Sequence, residues 1–337
     1  MSRRLLALLF VAGTALFILL LRHVGLEPLL ENVRRSGWLL VPIVACFGGA
    51  YACNALACWL LMADLPGRPP YGKTFLIMVS GFALSSVTPV VQLGGEPYKI
   101  GAFAPWLGTQ RATGTVLGYY MLNTLSNLLT WLVAVVTVLA LLRPAAPMAI
   151  GLSALAAAIF LALAFVFSRH RAGVFEAGLR LVGRVPLLRR LAPLLERHRP
   201  TLLALDEQIV GFYRKSPRRF FLALGVDCAG RVIGTLEYYL IALSVGVPIG
   251  FVQAFVIGSF LILGLNALFF MPFDLGSREG GTELIFGLLG LPSSLGLYAG
   301  IVTRLRWAIW AAIGLGLMWT VGKRERTSGS AATAGPV

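Results

Sequence analysis

The chain has 337 residues, of which 58% are hydrophobic and only 13% are charged. Soluble domains carry about 25% charged residues, so this composition excludes an ordinary soluble domain and indicates a protein embedded in a bilayer. The net charge is +15, but the basic residues fall in loops between apolar runs, which is typical of membrane topology rather than of nucleic-acid binding.

Apolar runs long enough to cross a bilayer recur along the whole chain. Runs of about 18 or more apolar residues are typical of membrane-spanning helices. Six full spans are predicted, at 5–21, 37–62, 114–142, 146–167, 220–245 and 295–319. The first run follows Arg3 and Arg4 as in a signal peptide, but no small residues mark a cleavage site, so we interpret it as an uncleaved helix.

Two further apolar segments are interrupted by proline, glycine and charge. Residues 73–111 contain TPVVQLGGEP, and residues 251–292 contain MPFDLGSREGG. Irregular backbone at membrane depth requires surrounding protein or water, so both segments are predicted to be re-entrant hairpins or broken helices. In each, a glutamate follows a proline by seven residues, Glu96 in the first and Glu279 in the second.

The shared pattern predicts an inverted repeat in an all-α polytopic membrane protein. The first hairpin is expected to open to the cytoplasm and the second to the opposite face. Interrupted hydrophobic segments at corresponding positions of two halves point to the binding site of a transporter.

The stretch 168–219 is the largest polar region, with twelve Lys or Arg residues against four Asp or Glu residues. It is predicted to be cytoplasmic, either as amphipathic helices on the membrane surface or as a plain loop. Both termini are expected on the same side. We predict one transmembrane domain over 1–323 and a disordered tail over 324–337.

The four cysteines lie inside apolar runs without CxxC spacing, and the chain has only three histidines. Neither a metal site nor a cofactor is therefore expected. Four residues of the 114–142 span lie at helical spacing and are expected to form hydrogen bonds between helices: Tyr119, Tyr120, Asn123 and Asn127.

Glu96 and Glu279 stand where a helix is predicted to restart after each break. In the first turn of a helix, a carboxylate is stabilised by the helix dipole. At membrane depth, the same carboxylate could instead pair with a cation or take up a proton. The sequence leaves both roles open.

Other charges are predicted at membrane depth, where they must face protein or a wet cavity. One interpretation is internal ion pairing, for which Asp227 and Arg231 are spaced as i,i+4 partners. The other is a cavity in which Arg231, Arg278 and Arg304 hold a phosphate, since the arginine fork binds phosphate oxygens in pairs. The predicted substrate-binding residues are Arg231, Arg304, Glu96, Glu279, Arg278, Gln92, Gly94, Gly95, Lys99, Asp227, Glu237 and Glu283.

At these residues the sequence resembles the transmembrane-region family of lysylphosphatidylglycerol synthases, also called flippase-like membrane proteins, and most closely the subgroup associated with hopanoid lipids. The residues that carry the resemblance are 85–100, 231–246, 269–291 and 300–307. Phe273 departs from the family pattern, because it stands where a glycine is usual.

The resemblance implies the lipid-translocating half of the two-part synthases. The segment after the last predicted span is too short for an aminoacyltransferase domain. We therefore expect no enzyme but a lipid transporter of the bacterial inner membrane, which moves an anionic, modified or isoprenoid-type lipid. Membrane lipids are the expected partners, with a homodimer or a lipid-biosynthesis protein as further candidates. The alternatives are a non-transporting accessory subunit and a lipid-modifying transferase, although no aspartate cluster for a divalent metal is present.

Overall fold

The computed structural model describes residues 26–87, 95–142, 144–169, 216–267 and 277–332. These residues are helical apart from short connections, and no β-strand occurs among them. The α-helices are α1 Leu26–Ser36, α2 Leu40–Leu61, α3 Tyr71–Val87, α4 Gly95–Leu107, α5 Thr109–Thr137, α6 Ala146–Arg169, α7 Pro217–Ser244, α8 Phe251–Ala267, α9 Ser277–Leu288 and α10 Ser293–Ala332.

Among the described residues, four stretches of helix are long and apolar enough to cross a membrane. They are Arg34–Leu61, Thr109–Leu141, Ala146–Ser168 and Ser294–Met318, and they correspond to four of the predicted spans. The predicted span 5–21 lies outside the described residues. The span predicted at 220–245 lies in helix α7 and carries three charged side chains, Asp227, Arg231 and Glu237, whereas none of the other four carries more than two. The count of six spans therefore stays a prediction.

Each interrupted segment contains two helices. In the first, α3 ends at Val87 and α4 begins at Gly95, and in the second, α8 ends at Ala267 and α9 begins at Ser277. The motif residues between the helices, including the predicted site residues Gln92 and Gly94, lie outside the described residues. The inverted repeat consequently remains a prediction.

Helices α3 and α4 meet closely at two glycines. The amide of Gly95 donates a hydrogen bond to Ser85 Oγ (3.1 Å) and so satisfies one donor at the start of α4. An added Cβ at Gly95 would lie 2.1 Å from the carbonyl oxygen of Gly81. Glycine is thus required at Gly95 for the start of α4 to rest on the backbone of α3.

The remaining predicted segments are described only in part. Most of the basic stretch 168–219 lies outside the described residues, which resume at Ser216. Helix α10 continues through Ala332 and therefore overlaps the tail for which disorder is predicted.

The described residues divide into two compact units. The first contains 26–52, 70–87, 95–102, 230–267 and 277–332. In this unit α10 packs against α3 and α9, and α9 packs against α8. Its apolar core includes Ile43, Ile241, Ile257, Phe286 and Leu297. Helix α10 contacts both interrupted segments, which places it at the centre of the packing in this unit.

The second unit contains 53–69, 103–142, 144–169 and 216–229. Helices α5 and α6 pack against each other within it. Gly108, with a φ of 78°, separates α4 from α5. An L-residue with a side chain rarely adopts this backbone conformation, so glycine allows the chain to turn between the two helices.

The contact between α3 and α10 supplies a first prediction. An alanine Cβ at Gly314 would lie 2.6 Å from both Ala83 Cβ and the Val79 carbonyl oxygen. Gly314→Ala is therefore expected to lower stability by about 1–3 kcal/mol. Gly316→Ala is the matched control, because a Cβ at Gly316 meets no atom within 4 Å. Thermal unfolding of the purified protein in detergent would measure both variants, and equal unfolding midpoints would contradict the close packing.

Candidate functional site

The site begins with a close approach of α9 and α10. Gly296 and Gly300 lie four residues apart on α10 and thus on one face of the helix. A Cβ at Gly296 would lie 2.7 Å from Glu283 Cα, and a Cβ at Gly300 would lie 3.1 Å from Glu279 Cα. Small residues at this spacing let two membrane helices approach each other at backbone distance.

Arg304 follows Gly300 by one more turn and reaches the first turn of α9. Its Nε donates to Glu279 Oε1 at 2.6 Å, and its Nη2 donates to Glu279 Oε2 at 3.1 Å. The arginine fork therefore holds both carboxylate oxygens, which is the strongest geometry for such a pair. The Glu279 side chain is fully buried, whereas 28% of the Arg304 side chain is exposed. Glu279 also lies in the first turn of α9, where the helix dipole favours a negative charge.

A second ion pair joins α10 to α7, and both of its side chains are buried. Arg306 Nε lies 2.8 Å from Glu237 Oε1 on α7, and the two side chains are only 8% and 5% exposed. These two atoms are close but not aligned for a hydrogen bond, so the contact is an ion pair. The Arg306 guanidinium also lies 4.2 Å from the ring centroid of Phe47, at a distance favourable for a cation–π interaction. This pair holds α2, α7 and α10 together.

Glu96 belongs to a third pair, within the first turns of α4. Lys99 Nζ donates to Glu96 Oε1 at 2.8 Å. The stem of Lys99 lies over Gly81, where an added Cβ would be 2.5 Å from Lys99 Cε. Both predicted roles of Glu96 are thus combined, since it occupies a first helical turn and pairs with a cation.

Two other predicted site residues take positions around these pairs. Arg278, next to Glu279 on α9, acts electrostatically on the Glu237 carboxylate together with Arg306. Glu283 lies one turn after Glu279, where α9 meets Gly296. A single cavity containing Arg231, Arg304, Glu96 and Glu279 stays a prediction.

Asp227 is fully buried in the second unit and is hydrogen-bonded to another helix. The hydroxyl of Tyr119 donates to Asp227 Oδ1 at 3.2 Å, and Asn123 Nδ2 donates to Oδ2 at 3.3 Å. The predicted interhelical hydrogen bonds of Tyr119 and Asn123 are confirmed by these contacts, whereas those of Tyr120 and Asn127 stay predictions. The pairing of Asp227 with Arg231 stays a prediction.

The first unit also contains a buried group of hydroxyls that was not predicted from the sequence. Ser36 Oγ lies 2.7 Å from Ser244 Oγ and is also hydrogen-bonded to the hydroxyl of Tyr298. These residues belong to α1, α7 and α10, far apart in the chain, so no local pattern indicates the contact. The hydroxyls satisfy one another inside an apolar core, as buried polar groups require.

Within the described residues, no group of three or more His, Cys, Asp or Glu side chains could hold a metal ion. The charged groups that are brought together are instead carboxylates paired with arginine or lysine. Such an arrangement can bind an anion by exchanging a carboxylate for another oxyanion on the same arginine.

These features define a multi-pass helical membrane protein in which charged side chains are held in pairs between apolar helices. The chain belongs to the family described as the lysylphosphatidylglycerol synthase TM region, which it matches over residues 4–316. The predicted family is thereby confirmed, whereas the hopanoid-associated subgroup stays a prediction. No curated protein matches the chain.

Proposed function

We propose that this protein moves an anionic lipid across the bacterial inner membrane without making or breaking a covalent bond. The observation that carries the proposal is the asymmetry of the Arg304–Glu279 pair. Glu279 is fully buried, but Arg304 keeps 28% of its side chain exposed. An arginine that served packing alone would be expected to be buried together with its partner, as Arg306 is with Glu237.

The chemistry of the partly exposed Arg304 favours a phosphate-bearing substrate. A guanidinium binds the oxygens of a carboxylate or a phosphate with the same planar fork. A lipid phosphate could therefore take the place of Glu279 on Nε and Nη2 during transport. Release of the headgroup would then be assisted by Glu279, because its carboxylate competes with the phosphate for the same two nitrogens of Arg304.

The two interrupted segments support this role. Glu96 and Glu279 lie in the first turns of α4 and α9. The amides at a helix start are donors for anions, so each restart adds binding capacity for a headgroup. We propose that the acyl chains stay in the hydrocarbon while the headgroup passes by these sites, so that the pathway opens sideways to lipid.

The family supports a role connected with membrane lipids. Lipid movement requires only binding and release, so no catalytic residue is assigned. Other lipids with an anionic group, including modified and isoprenoid-type lipids, would meet the same requirement. An accessory subunit without transport activity is the alternative that the following experiment separates from a transporter.

Purified protein in liposomes that contain fluorescent phosphatidylglycerol tests the proposal. A membrane-impermeant quencher added outside would remove the fluorescence of both leaflets if lipid moves, but only that of the outer leaflet in protein-free liposomes. Fluorescent phosphatidylcholine serves as the control for headgroup charge. Mass spectrometry of the recovered lipid should show no chemical change. Absence of movement for several anionic lipids would favour the accessory role, and a changed lipid would indicate an enzyme.

A further inference from the structure

The second unit contains an arginine that has two buried nitrogens without a hydrogen-bond partner in the part of the chain that the structure describes. Arg68 lies in the connection between α2 and α3, and its Cζ is 3.1 Å from the ring centroid of Trp59. Its Nε and Nη2 are shielded from water and have no hydrogen-bond partner among the described residues. Nε and Nη2 are the same two atoms with which Arg304 holds the carboxylate of Glu279.

The surroundings hold the Trp59 ring and the backbone next to Arg68 in position. The indole Nε1 of Trp59 donates to the carbonyl oxygen of Pro69 at 3.1 Å, which holds the ring beneath the guanidinium. Gly67 has a φ of 78°, and a Cβ there would lie 2.1 Å from the carbonyl oxygen of Trp106. The connection can therefore take this path against the end of α4 only with glycine at Gly67.

Asp64, a carboxylate that acts electrostatically on Arg68, is already engaged by other residues. Asp64 forms an ion pair with Arg219 and accepts a hydrogen bond from Ser216 Oγ at 3.0 Å. Burial and then the Arg219 charge lower the pKa of the Arg68 guanidinium, while the Asp64 charge raises it. Two guanidinium groups thus lie near one carboxylate, which is an arrangement that an added anion would stabilise.

The location of Arg68 indicates where this anion comes from. The apolar stretch that contains α2 ends at Leu61, so Trp59 lies in its last turn and Arg68 lies just beyond. Tryptophan is enriched at the level of lipid headgroups, where the phosphates also lie. Arg219, whose charge acts on Arg68, is the last residue of the basic stretch 168–219, which is predicted to be cytoplasmic, on the side where anionic lipids attract basic segments.

We propose that Arg68, stacked on Trp59 and close to Arg219, binds the phosphate of an anionic membrane lipid through Nε and Nη2. The phosphate reaches these atoms when the guanidinium slides across the face of the indole. This site shares no residue with the Arg304–Glu279 pair, and the proposal does not depend on lipid transport.

Binding of fluorescent phosphatidylglycerol to the detergent-purified protein at constant ionic strength tests the site. Arg68→Gln is expected to weaken binding about tenfold, as for the loss of a paired charge-assisted contact. Arg218→Gln is the matched control, because it removes the same charge from an exposed arginine of the same unit. It is expected to change binding less than about threefold, the size of a surface charge effect.

Further measurements distinguish the effect of the bidentate fork from that of charge alone. They also distinguish binding of a lipid from binding of free phosphate. Arg68→Lys keeps the charge but lacks the fork, so binding should fall several-fold while the fold is retained. Diacylglycerol, which lacks the phosphate, should bind equally to all variants. Equal losses in the Arg68→Gln and Arg218→Gln variants would overturn the site in favour of general electrostatic attraction. Displacement of the lipid by inorganic phosphate in the wild type, but not in Arg68→Gln, would overturn the lipid source and indicate a soluble phosphate ligand.

Discussion

Replacement of Arg304 by alanine is expected to abolish lipid movement in liposomes. The variant loses the only group of the Arg304–Glu279 pair that is partly exposed and can contact a headgroup. Arg304→Lys should restore only part of the rate, because an ammonium group keeps the charge but not the bidentate fork. The rate of fluorescent phosphatidylglycerol movement, compared at equal protein incorporation, measures both effects.

The alanine variant alone would leave Glu279 buried without the Arg304 charge, and this costs about 3–5 kcal/mol in a buried pair. A double variant, Arg304→Met with Glu279→Leu, removes both charges and is expected to fold. It should nevertheless fail to move lipid. Normal transport by this folded double variant would show that the pair serves packing, and the headgroup proposal would be wrong.

The pair of Arg306 with Glu237 is expected to behave in the opposite way. Both side chains are buried, so Arg306→Ala should leave an uncompensated carboxylate and lower stability by about 3–5 kcal/mol. The double variant Arg306→Met with Glu237→Leu should recover most of that loss, because well-packed apolar residues replace buried ion pairs at little or no cost. Thermal unfolding in detergent measures the difference.

Transport provides the second measurement for these Arg306 variants. Once folding is recovered, the Arg306→Met and Glu237→Leu double variant should move lipid at close to the wild-type rate. The two double variants therefore form a matched set on one helix. If both lost transport, a general requirement for charge inside the membrane would explain the results better than a headgroup site at Arg304.

The sequence predicted four of the membrane spans and the charged residues that lie among the apolar helices, whereas the interrupted motifs themselves lie outside the described residues. Arg304, Glu279 and Glu96 stand out because lipid-exposed helices have almost no reason to carry ionisable groups. Proline and glycine likewise indicated that the helices would stop near Val87 and Ala267. These are local properties, and local sequence is sufficient to reveal them.

The partners of the charged residues were not predictable in the same way. Glu279 and Arg304 are 25 residues apart, and their contact depends on the close approach that Gly296 and Gly300 allow. The glycine spacing was a usable signal, since small residues four apart indicate helix packing in membranes. The Arg68–Trp59 stack had no such signal, because it depends on the path of a loop through Gly67.

The two ion pairs of α10 also restrict how this helix can move. Successive residues of an α-helix are turned by about 100°, so Arg304 and Arg306 point in nearly opposite directions. One is tied to α9 and the other to α7, and Trp310 Nε1 adds a hydrogen bond to the Val44 carbonyl oxygen on α2 (2.9 Å). A rotation of α10 about its own axis would strain all three contacts at once. These contacts constrain rotation of α10, so we expect an opening at Arg304 to come from displacement of α9.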